Sequence, residues 1–592
     1  MHSLSQLYYL HGIGYEYTKY TGEHVIFDES TRRQALSCCG IDTQDSDVIN
    51  QLNFALDAGT WLNLLPHTSI IEAHHPILKV RVDERLLTRS CTLSVPSLDI
   101  HFTCENLQGL AVLGDYGLNG IRYLELALPV PEMPIGYHDA LITVADQQAH
   151  SQLWITPKES FSIDDKKRLG LSIQLYSLCN EEGLGIGDFA DLTKLIKAAA
   201  TNNMDYVLLN PLHLLFEHSP ERASPYSPNS RALLNPLYIA VSLCEDAKNN
   251  NALDKLLANK PQTDATYIDY TSVSDFKYQV FSCLYQQFCE FASEERKQQF
   301  ARFCETHKRS LSTMLVGDRD YASYLQWQAH LQLNICQQAA RDSGMAIGLI
   351  NDLAVGCAGD GSEFKSQNEL FAENAHVGAP PDPWAEHGQN WGLPALNPQK
   401  LSKDNFAFYR SLIRANMEDM GGLRIDHVMA IRRLWWCFEN NSQQDGCYVY
   451  YPFEQLLAVL KIESHLNQCV VIGEDLGVVP NEVREALKAS AIYSNGLFYF
   501  EKDYQGEFLA AEHFAPHSLL MIANHDVPPF KGWWIGHDIT IKQQYGLLDD
   551  EQTRAQFDAR NIEKHRMLNF IARESHQHLS LETDAFTVYE AL

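Results

Sequence analysis

Two periodicities of apolar positions divide the chain. Residues from about 29 to 60 space apolar groups three and four apart, in Thr31-Arg32-Arg33-Gln34-Ala35-Leu36 and again in Ile49-Asn50-Gln51-Leu52-Asn53-Phe54-Ala55-Leu56, which predicts helices. Between Trp61 and Trp154 the texture shortens to β-rich runs at 77–82, 91–95, 99–103, 122–126 and 140–144 with turn residues between them, as in a small antiparallel sandwich. After Pro157 the pattern becomes strand, loop, helix. Strands are expected at 170–176, 205–210, 346–350, 422–427, 469–474, 496–500 and 518–523, with helical segments separating most of them. This alternation belongs to a parallel sheet, and its length suits an α/β TIM (β/α)8-type barrel with inserted subdomains. The expected layout is a helical segment 1–62, a β-sandwich-like domain 63–160 and a catalytic barrel 161–592 with insertions at about 211–340 and 360–420. Helical texture then fills 550–573 and 581–592, and the chain stops where an eighth strand should begin, so the last barrel strand is expected to be missing.

Composition narrows the classes open to such a chain. Its 592 residues are 45% hydrophobic and 20% charged, with no run of eighteen apolar residues, so no membrane span is expected. The start has no basic region, and His11 and Tyr15 interrupt its apolar run; no signal peptide is expected, and the location is read as cytoplasmic. The fourteen cysteines include no Cys-x-x-Cys pair, the nearest neighbours being Cys38-Cys39 and Cys283 with Cys289, so they are read as core residues and no metal site is expected. A net charge of -29 argues against nucleic acid or an anionic membrane as partner, whereas a neutral substrate is indifferent to it. The glycine-rich loop 183–187 leads to Asp188, a candidate N-cap with Asp191 in the first helical turn. It lacks both Gly-x-Gly-x-x-Gly and a Lys-Ser/Thr pair, so a nucleotide is not expected there.

The polar residues that carry chemistry gather at strand ends. A strand through Leu423-Arg424-Ile425-Asp426 sets Arg424 and Asp426 on one face, where the guanidinium favours an ionised carboxylate. Alone, that pair is also what a structural salt bridge looks like. Acidic ends recur at Asn351-Asp352, Asp426-His427, Glu474-Asp475 and Asn524-His525-Asp526, and in barrels of this kind the active site forms at the C-terminal ends of the strands. Four acidic ends around one mouth fit glycosyl transfer with retention, which uses one carboxylate as nucleophile and one carboxyl as acid and base. Asp426 suits the nucleophile. Glu474, with an acidic neighbour and partial burial to raise its pKa, suits the acid/base. Trp384, Trp391, Trp435, Trp436, Trp533 and Trp534 fall in or beside the expected loops, where a ring face could stack on a sugar, although core packing accounts for any one of them equally well. Proline-rich loops at 224–230 and 378–384 are stiff and polar-tipped, as a pre-shaped cleft requires.

Seven segments in order resemble one family. Gly185-Ile186-Gly187-Asp188-Phe189, Ser224-Pro225-Tyr226-Ser227-Pro228, Asn235-Pro236-Leu237-Tyr238, Gly378-Ala379-Pro380-Pro381-Asp382, Gly388-Gln389-Asn390-Trp391-Gly392-Leu393-Pro394, Leu423-Arg424-Ile425-Asp426-His427 and Gly473-Glu474-Asp475-Leu476-Gly477 look like the 4-alpha-glucanotransferase (amylomaltase) family, over roughly residues 165 to 535. The N-terminal addition resembles that of the longer bacterial members. The resemblance implies that Asp426 is the nucleophile, Glu474 the acid/base and Asp526 the carboxylate that fixes sugar hydroxyls and stabilises the transition state. It further implies that His427, His525 and Arg424 hold the same ring, that Tyr226 stacks there, and that Asp352 or Asp360 contacts the donor. The 388–394 loop, with Trp391 and Gly392, would shape the acceptor side. The implied partners are maltooligosaccharides and other α-1,4-glucans, with no metal or organic cofactor. The alternatives are an α-1,4-glucan hydrolase of the same clan or an inactive glucan-binding fragment. Two departures accompany this likeness. Asn524 and Pro528-Pro529 stand where the family has threonine and Pro-Thr, and the family's Asn-x-Pro-Gly-Thr segment and last strand are not found, so the chain is read as C-terminally shortened.

Overall fold

The computed structural model describes residues 2–178, 183–261, 267–381, 385, 387–439, 445–477 and 479–592. The chain divides into two compact units, Met1–Val471 with Pro480–Ile492, and Ile472–Val479 with Tyr493–Leu592.

The first unit is built on parallel strands β1 (Gly170–Ile173), β2 (Tyr206–Leu209), β3 (Gly348–Leu353), β4 (Gly422–Ile425) and the start of β5 (Val470–Gly473), neighbours in that order. Every residue of β3, β4 and β5 is buried, as expected of strands covered on both faces, which explains why they read as continuous apolar runs in the sequence. Helices Phe189–Thr201, Arg319–Asp342, Ala407–Met417 and Phe453–Asn467 precede β2, β3, β4 and β5 respectively. Asp188 caps the first of them, its carboxylate accepting from the amides of Ala190 and Asp191. Gly421, one residue before β4, has no alternative: a Cβ there would lie 1.7 Å from the carbonyl oxygen of Ile347. The β3 and β4 backbones approach closely only because that position is glycine.

Residues Thr68–Thr156 form two further sheets, one of five strands and one of three. Burial alternates along Ile77–Asp83, and its inward residues Leu78, Val80 and Val82 share one apolar core with Leu93, Val95, Ile142 and Val144. The sandwich is not wholly antiparallel as expected, because Gln147–Thr156 pairs in parallel with Thr68–Glu72 on one edge. An antiparallel four-stranded sheet joins Phe371–Ala379 and Gln389–Leu396 to Arg433–Phe438 and Cys447–Tyr450. N-terminal residues lie on it: Tyr450 donates its amide to the Gly12 carbonyl at 2.7 Å, and Tyr17 meets Trp435 edge-on at 5.3 Å.

In the second unit the end of β5 pairs in parallel with β6 (Tyr493–Leu497), which pairs in parallel with β7 (Ser518–Met521). All seven expected strands are therefore present, but β6 lies three residues earlier than its apolar run indicates. Phe498 and Tyr499 turn out of the strand in a 3-10 turn and enter an aromatic core with Phe508, Phe530, Trp533 and Phe570. Among the described residues no helix is long and apolar enough to cross a membrane.

Of the six tryptophans in or beside the expected loops, for which stacking on a sugar and core packing stood open alike, four are core residues. Trp435 and Trp436 are 1% and 0% exposed, and Trp533 and Trp534 are 4% and 3% exposed. Strand alternation does not explain this, since both faces of Arg433–Phe438 are covered. Trp436→Ala is expected to lower the unfolding free energy by about 3–5 kcal/mol in urea titration, the cost of a cavity left by a large aromatic; a loss below about 1 kcal/mol would contradict the burial described.

Candidate active site

The site residues of the first unit are organised by the register of β3 on β4. Pairing sets Asp352 opposite Arg424 and Leu353 opposite Ile425. Side chains of opposed residues in neighbouring strands share a face, so Arg424 reaches Asp352 laterally and Asp426, two residues on, along its own strand. Arg424 donates through Nη1 to Asp352 Oδ1 at 2.7 Å and to Asp426 Oδ1 at 3.1 Å. The expected pairing of Arg424 with Asp426 is thus present, with Asp352 added to it. The arginine is 1% exposed. Burial opposes its charge, but the Asp352 and Asp426 carboxylates outweigh that and hold the guanidinium more firmly protonated than usual.

Tyr226, from the proline-rich loop, donates its hydroxyl to Asp352 Oδ2 at 2.8 Å. Burial first, and the Asp352 carboxylate next, push the phenol well above its ordinary range, so it remains a donor. Asp426 is the first residue beyond β4, and its amide donates to the Leu353 carbonyl at 3.0 Å. His427 follows with φ +48°, a left-handed turn that directs the chain away from the strand, and its ring meets Trp391 edge-on at 5.4 Å. Trp391 donates its Nε1 to Gln389 Oε1 at 3.0 Å, and Gly392 takes φ +68° with its amide on Asn390 Oδ1 at 2.9 Å. Asp360, the other candidate for donor contact, is bound elsewhere by both Nη atoms of Arg222, at 2.6 and 2.8 Å, and that bond depresses its carboxyl. Trp384 and Asp382 lie outside the described residues.

In the second unit, Glu474 follows β5 directly and is 8% exposed, with Oε1 accepting the Leu476 amide at 2.7 Å. Asp475 accepts the Asn495 amide at 3.2 Å. Just past β7, His525 Nε2 lies 3.3 Å from Asp526 Oδ1. Asn524, the departure from the family pattern, grips Asp526 twice: its Nδ2 donates to Oδ2 at 3.0 Å and its Oδ1 accepts the Asp526 amide at 3.0 Å. The substitution therefore supplies a local clamp for that carboxylate.

The family model described as 4-alpha-glucanotransferase matches residues 173–316 and 313–588. A 4-alpha-glucanotransferase of Haemophilus influenzae is 32% identical, covering 94% of this chain and 87% of that protein. One of Mycobacterium tuberculosis is 28% identical, over 92% of this chain and 82% of the relative. The chain belongs to the 4-alpha-glucanotransferase family. Its fold agrees: the amylomaltase of Corynebacterium glutamicum superposes with a TM-score of 0.83 at 26% identity, covering 97% of this chain and 86% of the other. The Streptococcus agalactiae amylomaltase in complex with acarbose shares the fold at a TM-score of 0.57 and 19% identity, over 72% of this chain and 88% of the other. The family resemblance carried by the seven motifs is correct, and so is the barrel-type fold read from the strand and helix alternation.

Several residues that shape the site have no signal in the sequence, because their partners are remote along the chain. Arg231 and Glu363, 6% and 2% exposed, form a buried ion pair, and Arg231 also donates to the Val355 carbonyl at 3.0 Å beyond β3. His213 is buried and accepts the Ala354 amide at Nε2, 3.2 Å away, immediately after the strand that carries Asp352. Burial, with the Arg231 charge, lowers its ring to about 3. An unfolded histidine titrates near 6.5, so between these values the unfolded chain binds the extra proton; the stability is complete above about pH 6.5 and is lost as pH falls. His213→Gln, which keeps an acceptor, is expected to shrink the loss of unfolding free energy between about pH 7.5 and about pH 5.5 by about 1.4 kcal/mol in urea titration. An unaltered pH dependence would mean that this ring does not stay neutral.

Proposed function

We propose that this chain is an active 4-alpha-glucanotransferase that moves a segment of an α-1,4-glucan, such as a maltooligosaccharide, to the 4-hydroxyl of another glucan or glucose. The observation that carries the assignment is the buried guanidinium of Arg424, held 3.1 Å from Asp426 and 2.7 Å from Asp352. A fixed cation beside Asp426 favours the ionised form of that carboxylate. Asp426 then attacks C1 of the donor sugar; the C1–O4 bond breaks, and O4 takes the proton of Glu474 as the shortened glucan leaves. In the second half, Glu474 removes the proton of an acceptor 4-hydroxyl, that oxygen bonds to C1, and the C1–Asp426 ester bond breaks, so two inversions give net retention. Asp526, held by Asn524 and His525, is assigned to the sugar hydroxyls, Tyr226 and Asp352 to the donor ring, and Trp391 and Gly392 to the acceptor side. No step calls for a metal or organic cofactor.

A cytoplasmic location is part of the proposal, supported by the thirteen described cysteines being free, including Cys91 and Cys104, which face each other across a strand pair.

Incubation with maltotriose tests the reaction: glucose and a ladder of longer oligomers are expected, whereas rising reducing ends without a ladder would show hydrolysis, and no turnover would show a binding protein. Asp426→Asn is expected to lower kcat by at least about 10³-fold, the scale seen when a nucleophile is removed; unchanged turnover would reject the assignment. Tyr226→Phe removes one hydrogen bond to a charged group and is expected to reduce kcat/KM about tenfold, without change in the product ladder.

A further inference from the structure

Away from the strand ends, three side chains from separate helices of the first unit converge. His307 caps the C-terminus of helix Glu294–Thr306, His330 lies within Arg319–Asp342, and Glu418 caps the C-terminus of Ala407–Met417. One ring nitrogen from each histidine and one carboxylate oxygen of Glu418 all lie within 4.8 Å of one another. We propose that these three side chains form a site for a divalent transition-metal ion of the zinc class, with two imidazole nitrogens and a carboxylate oxygen as ligands and a fourth position open to solvent.

An ion pair alone accounts for part of the arrangement, since His307 Nε2 lies 3.0 Å from Glu418 Oε2. It does not account for the second imidazole, whose ring centroid is 4.9 Å from that of His307. The surroundings also orient the donors as metal sites do. The other nitrogen of His307, Nδ1, lies 3.1 Å from the Phe303 carbonyl oxygen, which leaves Nε2 to face Glu418, and Phe303 stacks on the ring at 4.2 Å. On the helix of His330, Asn334 donates to Asp419 Oδ1 at 2.6 Å, tying that helix to the residue beside Glu418. Zinc bonds of about 2.0–2.1 Å in a tetrahedron set ligand atoms about 3.3 Å apart, so small side-chain rotations suffice. His307 and Glu418 side chains are 15% and 35% exposed, which lets an ion enter, and the net charge of -29 concentrates cations around the chain.

Ligands on three helices imply a structural effect, because an ion bound only by the folded chain stabilises it. The helix ending at Glu418 also carries Asn416, whose Oδ1 accepts from Asn351 Nδ2 at 3.1 Å, next to Asp352.

The full chain, stripped with EDTA and then titrated with ZnCl2 in a non-coordinating buffer, tests the site by calorimetry and thermal unfolding. One saturable site and a rise in Tm of about 2 °C or more are expected. His330→Ala and Glu418→Gln should each weaken zinc binding at least tenfold and abolish the zinc-dependent rise. Should His330→Ala fail to fold, Glu418→Gln decides, read also by the visible spectrum of bound Co²⁺. Zinc binding unchanged in these variants would place the ion on other histidines or cysteines, and no saturable binding to the unaltered chain would leave a plain His307–Glu418 ion pair; either result overturns the proposal.

Discussion

A single guanidinium shared between two carboxylates governs the first unit. Arg424 is nearly sealed from solvent and touches Asp352 on the neighbouring strand and Asp426 at the end of its own. Removing three charges from water is expensive, and an apolar trio of similar volume would often stabilise a fold more. The arrangement is therefore poorly explained as a device for stability. It fits the proposed reaction, which needs an ionised carboxylate, because the compensating charge is already fixed before any substrate arrives.

That constraint propagates outward. For Arg424 to bridge both acids, β3 and β4 must hold one register, and the side-chain alternation of strands makes a one-residue slip ruinous. Gly421 permits the close approach that this register needs. Beyond β3, the chain is held by His213 at the Ala354 amide and by Arg231 at the Val355 carbonyl, and Arg231 is itself fixed by Glu363. Asn351 is bound by Asn416 from a helix packed nearby. Each of these groups is buried and hydrogen-bonded, so the strand end that presents Asp352 has little freedom to move. In the second unit, Glu474 accepts the amide of Leu476 two residues on, and Asp526 is met by both of its predecessors, Asn524 and His525.

The tryptophans show where sequence reading stops. Trp391 and Trp435 both sit near predicted loops, yet one meets His427 while the other is packed against Tyr17 and Phe27 from the start of the chain. Nothing within several residues of Trp435 announces that partner. The misplacement of β6 has the same origin: Phe498 and Tyr499 read as strand because they are apolar, and an aromatic core assembled from segments well downstream claims them instead. Local propensity is overridden when the burial on offer elsewhere is larger. The cluster of His307, His330 and Glu418 likewise has no signature in sequence spacing, since its members come from three helices.

By itself the sequence determined whatever depends on neighbours along the chain. The strand and helix alternation, the Arg424–Asp426 pair two residues apart, the Asp188 cap and the ordered family motifs all act over a few residues, the range within which backbone geometry dictates side-chain direction. Only the tertiary structure decided which distant groups complete them. Tyr226 is 126 residues from the Asp352 it binds, and Asp352 is 72 from Arg424. Such pairings are selected by the packing of whole elements, because the free energy that brings them together comes from the surface the entire fold buries and not from the pair itself.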